Sequence, residues 1–201
     1  KQGFFLVCDG MGGHRGGEVA SRMAVQTISQ SMKNSASSDA RERLIQAIET
    51  ANQAILKAGL ENEHLFEMGT TVTAVLVDGS RLLVANVGDS GVFLIRSNTI
   101  RKITRDHTLA EEMLSHGILK PEEMRGNAYN HILTRALGVD DQVEIDLFSE
   151  EILAGDILLM CSDGLTDMLI PDEILEIILA HSDDLETAAN SLISKALEKG
   201  G

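Results

Sequence analysis

The chain is short of cysteine, of positive charge and of long apolar runs, and each shortage removes a class of protein. Its two cysteines, Cys8 and Cys161, sit in apolar strand-like runs without CxxC spacing and are too few for a disulfide framework. They read as buried free thiols of a reducing cytoplasm, and the aspartates beside them make either a poor nucleophile. Only 17 Lys and Arg stand against 31 Asp and Glu, for a net charge of -14. That balance repels phosphate backbones and excludes a nucleic-acid partner. No apolar run reaches the roughly 18 residues of a spanning helix, and no charged-then-apolar leader opens the chain, so a soluble segment without membrane contact is expected. There is no repeat, linker or low-complexity stretch. A length of 201 residues, 43% hydrophobic, suits one domain with a substantial core.

What is present is more specific. Three apolar runs end on an aspartate: Phe4 to Val7 leads into Cys8-Asp9-Gly10, Leu82 to Val87 into Gly88-Asp89-Ser90, and Ile157 to Met160 into Cys161-Ser162-Asp163-Gly164. A carboxylate at the mouth of a buried strand is held rigidly, and several converging on one point make a hard-oxygen site suited to Mg²⁺ or Mn²⁺. The competing explanation is turn chemistry. It fits Asp78-Gly79, between Val75-Leu76-Val77 and Leu82-Leu83-Val84, and is open for Asp89, since Gly88-Asp89-Ser90-Gly91 could close a hairpin. It fits Asp9 and Asp163 poorly, because helical patterns rather than strands follow them.

The periodicity predicts helices over Glu18 to Met32 and Asp39 to Ala58, the second with Asp39 as N-cap. Short strands follow at Thr70 to Val77, Leu82 to Val87, Val92 to Arg96 and Ile100 to Thr104, with turn-length gaps that suit an antiparallel meander rather than βαβ units. Residues 106 to 138 change character, with a short helix at Leu109 to His116, a helix start at Pro121 and a polar stretch around Tyr129, and read as a flap inserted between strands. Strands resume at Val143 to Phe148 and Asp156 to Cys161, followed by helices at Pro171 to Ala180 and Leu185 to Glu198. The expected fold class is α+β, a four-layer α-β-β-α sandwich of two mainly antiparallel sheets flanked by helix pairs.

Two familiar motifs fail. Counting a GxGxxG from Gly10 puts Arg15 where the third glycine belongs, and Asp9 would repel a pyrophosphate. A haloacid-dehalogenase-type phosphatase needs a nucleophilic aspartate where this chain has Val7. The set Asp9-Gly10-Met11-Gly12-Gly13-His14, Gly69-Thr70-Thr71, Gly88-Asp89-Ser90 and Ser162-Asp163-Gly164-Leu165-Thr166-Asp167, in that order, closely resembles the PP2C-like (PPM) family of metal-dependent protein serine/threonine phosphatases in its bacterial form. The resemblance runs over almost the whole chain and includes Leu133-Thr134-Arg135-Ala136-Leu137-Gly138 at the end of the flap.

The resemblance implies a phosphoric monoester hydrolase that cleaves phosphoserine and phosphothreonine by direct attack of a metal-bridged hydroxide, with two or three Mn²⁺ or Mg²⁺ ions. It makes Asp9 the bridging carboxylate, with the Gly10 carbonyl on one ion, Asp163 on the other, and Asp89 with Asp163 at a third, weaker site. His14 is the candidate proton donor to the leaving oxygen; Met11 stands where eukaryotic members place a histidine. His107, His116 and His131 read as surface residues of the flap. The implied partners are phosphoproteins and a cognate Ser/Thr kinase, and the implied state is a cytoplasmic monomer. The family's N-terminal acidic pair and late Asp-Asn are missing, so the chain is expected to be truncated at both ends. Gly91 departs from the basic or small residue common there. The rival reading is a non-catalytic regulatory or scaffold domain on the same fold, which those missing ligands would favour.

Overall fold

The computed structural model describes residues 2–11 and 13–200, with Gly13 and His14 described in backbone only. Alternation within the strands builds the architecture. In β4 (Val72–Asp78) and β5 (Arg81–Val87), Val72, Ala74, Leu76, Ala85 and Val87 face one way, while Val75, Leu82 and Val84 face the other. Both faces are apolar, so both must be covered. With β1 (Gln2–Val7) and β8 (Asp146–Glu151) these strands form an antiparallel sheet in the order β1-β4-β5-β8. The second sheet, β7-β6-β9, comprises β6 (Gly91–Arg96), β7 (Thr99–Lys102) and β9 (Ile157–Cys161). Val92 and Leu94 on β6 meet Val75 and Val84 between the sheets, whereas Phe93 and Ile95 point outward.

Helices close the outer faces. Ala20, Ala24 and Ile28 of α1 (Gly13–Asn34) and Leu44, Ile48 and Ile55 of α2 (Ala40–Glu61) are fully buried against the first sheet. Each isoleucine so buried contributes roughly 1.5–3 kcal/mol. Asp39 caps α2 by accepting the amides of Arg41 and Glu42. On the far side, Ile174 and Ile178 of α5 (Pro171–Ala180) and Leu192 of α6 (Leu185–Glu198) pack on Phe93 and Ile95. The result is the expected α-β-β-α stack. Between β7 and β8 lie α3 (Leu109–Ser115) and short 3₁₀ turns at Pro121–Glu123 and Ala128–His131, within the stretch read as a flap. A four-residue helix, α4 (Asp163–Thr166), follows β9 directly.

Several boundaries move, each for a local reason. Helix α1 starts at Gly13, inside the glycine cluster, rather than at Glu18. The strand expected from Thr70 to Val77 is broken at Thr71 into β3 (Gly69–Thr70), which pairs with β2 (Gly10–Met11), and β4, because the Thr71 amide turns aside to the Asp9 carbonyl. Val143 and Ile145 pack on the first core without ladder bonds, so β8 begins only at Asp146. Asp78 pairs with Arg81, leaving Gly79-Ser80 as the hairpin loop, with Gly79 at φ +61. The alternative hairpin at Gly88-Asp89-Ser90-Gly91 does not form. β5 and β6 belong to different sheets, and Asp89 sits on the crossover between them.

Candidate metal centre

The glycines around Asp9 serve close packing. A Cβ on Gly10 would fall 2.0 Å from the Gly17 carbonyl oxygen, and one on Gly17 would fall 2.6 Å from that of Gly10, so α1 lies directly on the strand end. Asp9 is fixed through its backbone: its amide donates to Thr71 Oγ1 (2.9 Å), and its carbonyl accepts from the Thr71 amide and Thr70 Oγ1, both at 2.8 Å. Thr71 Oγ1 also lies 2.8 Å from Ser90 Oγ, which joins the Asp9 turn to the Asp89 crossover. Gly69-Thr70-Thr71 is thus the bracket between two of the three carboxylates.

Asp163 opens α4, where its carbonyl accepts from the Asp167 amide at 2.8 Å. Its carboxylate reaches that of Asp9. Burial first, then the hydrogen bond and charge of Asp163, push the Asp9 carboxyl up to about 6. Asp89 is pushed to about 7 by burial, then by Asp163 and Asp106, with Asp9 adding a smaller share. Asp163 therefore lies close enough to Asp9 and Asp89 for its charge to resist the ionisation of both. His131 and Asp167 extend the group, since a ligand atom from each lies within 4.8 Å of Asp163 and of the other. Burial, followed by Asp163, also raises Asp167.

Lys102 is bonded to both oxygens of Asp106, whose charge bears on Asp89, at 2.5 and 2.7 Å. A Cβ on Gly91 would stand 2.8 Å from Lys102 Cε, near the flexible end of that side chain. Burial holds Cys8 and Cys161 at about 12, so both thiols stay protonated and unreactive.

His131, read from sequence as a surface residue, is exposed yet stands beside Asp163 and 3.5 Å from Asp167. His107 is buried rather than superficial, under the Asp89 crossover, and the sequence reading missed it. His116 is the surface residue expected, its Nδ1 2.7 Å from the Glu112 carbonyl on its own helix. The His14 side chain lies outside the described residues. The Gly10 carbonyl follows Asp9 directly and has Gly17 against it.

Gly88 shows how tightly the crossover is held. It takes φ +100, and a Cβ would sit 2.6 Å from Thr71 Cγ2. Gly88→Ala should cost about 2–3 kcal/mol. Gly79→Ala, at φ +61 with nothing within 4 Å, should cost about 1 kcal/mol. Denaturant midpoints compare the two, and equal costs would contradict the close contact at Thr71.

The raised carboxyls fix a pH dependence. Between the ordinary 3.8 and about 7 the folded, metal-free protein holds protons that the unfolded chain releases. Stability from Asp9 and Asp89 therefore falls as pH rises through that window, and their destabilising effect is complete above about 7. Thermal melts of the metal-free protein at pH 5 and 7.5 should show this trend, flattened in an Asp9→Asn/Asp89→Asn variant; an unchanged slope in that variant would contradict it.

A cluster made mainly of carboxylate oxygens, with a carbonyl and the His131 ring adjoining and pKa values raised by burial and then by neighbouring charge, fits a hard divalent cation. The comparisons with known proteins agree. A family model described as Protein phosphatase 2C matches residues 1–199. The serine/threonine phosphatase stp of Listeria welshimeri is 39% identical over 205 residues, covering 100% of this chain and 81% of the relative. The crystal structure of Mycobacterium tuberculosis PstP/Ppp matches with a TM-score of 0.90 at 34% identity, covering 98% of this chain and 83% of that one. A structure of the PstP catalytic domain in complex with two manganese ions matches with a TM-score of 0.86 at 34% identity, covering 98% and 82%. With the glycine-supported aspartate, the threonine bracket and the sandwich all in place, the chain belongs to the protein phosphatase 2C family.

Proposed function

We propose that this chain hydrolyses phosphoserine and phosphothreonine in proteins, with Mn²⁺ or Mg²⁺ held by Asp9, Asp163, Asp89 and the Gly10 carbonyl. The observation that carries the reading is the cluster of Asp163, Asp167 and His131, whose ligand atoms lie within 4.8 Å of one another, with Asp9 and Asp89 near enough for burial and the Asp163 charge to raise both. Mutual repulsion of this kind is costly unless cations occupy the gap. The metal-dependent character of the family and the two manganese ions of the PstP complex support it.

When bound, the ions lower the pKa of water and neutralise charge on the phosphoryl oxygens. The chain's own residues do the rest. Asp9, locked by Thr70 and Thr71, presents its carboxylate at a fixed point. Asp163 and Asp89 complete the cage from the start of α4 and the crossover. His14, at the start of α1, is the candidate donor of a proton to the seryl or threonyl oxygen as it leaves. The segment 106–138, which brings His131 to Asp163, acts as the flap over the site. The substrates are phosphoproteins, supplied by a Ser/Thr kinase, and the protein works as a cytoplasmic monomer. Among the described residues no helix is long and apolar enough to cross a membrane.

The substrate class is tested with matched phosphothreonine and phosphotyrosine peptides at saturating Mn²⁺. Phosphate release from the phosphothreonine peptide should exceed that from the phosphotyrosine peptide by at least about 10-fold in kcat/KM, a difference of 1.4 kcal/mol in transition-state binding. Equal rates, or none on phosphothreonine, would overturn the assignment.

A further inference from the structure

The buried imidazole of His107 is unexplained by the ligand set, and its contacts run from the metal centre to the flap. Its side chain is 4% exposed. The Gly88 amide donates to His107 Nδ1 at 3.2 Å, so the proton of the neutral ring is on Nε2. That nitrogen faces Asp146 Oδ2 at 3.3 Å. Arg135 Nη1 stands 3.4 Å from the same nitrogen, but as a donor it is satisfied by Asp146 Oδ1 at 2.9 Å. The backbone repeats the link: the His107 amide donates to the Gly88 carbonyl at 3.0 Å, and the Thr134 amide donates to the His107 carbonyl at 2.9 Å. His107 therefore joins three places distant in sequence: the residue before Asp89, the first residue of β8, and Thr134-Arg135 where segment 106–138 rejoins the sandwich.

We propose that His107 is a positioning residue of the metal centre: Nδ1 orients the crossover that carries Asp89, and Nε2 ties that crossover through Asp146 to Arg135 and the flap. The inference rests on the reading of Asp89 as a metal ligand. Among the described residues Nδ1 is the side-chain acceptor of the Gly88 amide, next to Asp89, while Asn86 Nδ2 holds the Gly88 carbonyl at 3.1 Å. Removing Nδ1 leaves a buried amide unpaired one residue before Asp89 and lets the carboxylate drift. The backbone bonds of His107 persist in any substitution, so the loss falls on orientation rather than on the fold.

The test measures Mn²⁺ binding to the intact protein directly, by the electron paramagnetic resonance signal of free Mn²⁺, alongside turnover. His107→Leu, similar in bulk but without an acceptor, should weaken the Asp89-dependent class of Mn²⁺ by about 10-fold or more, as loss of an orienting partner typically does. His107→Asn, whose Oδ1 lies where Nδ1 was, should restore most of it. In an Asp89→Ala background His107→Leu should change Mn²⁺ binding no further, since the imidazole acts through that carboxylate. If His107→Leu is too unstable to purify, His107→Asn and His107→Gln decide, with Asn near wild type and Gln, which reaches Asp146 but not Gly88, resembling Asp89→Ala. Additive effects in the double variant, or Asn and Gln behaving alike, would overturn the role of His107. Asp89→Ala that leaves every class of Mn²⁺ unchanged would instead overturn the ligand reading beneath it.

Discussion

Asp9→Ala is expected to lower turnover of a phosphothreonine peptide by about 10³-fold or more while raising the stability of the metal-free protein. The first effect follows if Asp9 holds the ions as proposed, since the charge stabilisation they would supply in the transition state amounts to several kcal/mol. The second follows from the same geometry. Burial and Asp163 push the Asp9 carboxyl up to about 6, so at pH 7.5 it is ionised at a cost to the folded state. The backbone bonds to Thr70 and Thr71 do not depend on the side chain and should survive. A variant with less activity and a higher metal-free melting temperature is what a site built for function rather than stability should give. Activity within 10-fold of wild type, or a metal-free protein destabilised by several degrees, would contradict the bridging role. Asp163→Ala should behave in the same way.

Chelation should have an equally large effect. With excess EDTA, turnover should fall to background, and Mn²⁺ or Mg²⁺ added beyond the chelator should restore it. Neither cysteine can take over, because burial holds Cys8 and Cys161 near 12 as protonated thiols. Turnover that persists in EDTA would require a nucleophile from the protein itself. A simple loss of folding on chelation is separable, since the carboxylate cluster predicts a metal-free protein that remains folded and is more stable at pH 5 than at pH 7.5.

The three strand-end aspartates were legible because both signals that mark them are local, an apolar run and the residue that ends it. The boundaries of α5 and α6 were equally legible, from Pro171 and from the apolar spacing after Leu185. The start of α1 was hidden by glycines that read as loop. Gly17 is there because the Gly10 backbone passes within van der Waals range, a contact between distant strand and helix atoms that composition does not display. Val143 and Ile145 misplaced β8, because apolar spacing reports burial whereas a strand needs ladder partners. The bonds of Thr71 and His107 were invisible for a related reason. Thr71 is 62 residues from Asp9, and His107 is 19 from Gly88, so their bonds exist only once the sheets have stacked. His131 was set aside as a surface residue, and it is exposed; the missing signal was the path of the 3₁₀ turn that carries it to Asp163.

The central claim, that Asp9, Asp89 and Asp163 hold divalent cations, is tested most directly by counting Mn²⁺ bound to the intact protein at pH 7.5 by equilibrium dialysis, in wild type and in Asp9→Ala, Asp89→Ala and Asp163→Ala. The account predicts at least two Mn²⁺ per wild-type chain, as the arrangement of a two-metal site requires. It predicts a loss of bound Mn²⁺ at equal free metal in Asp9→Ala and Asp163→Ala, and loss of only the weaker class in Asp89→Ala. Wild-type stoichiometry retained in Asp9→Ala and Asp163→Ala would contradict it.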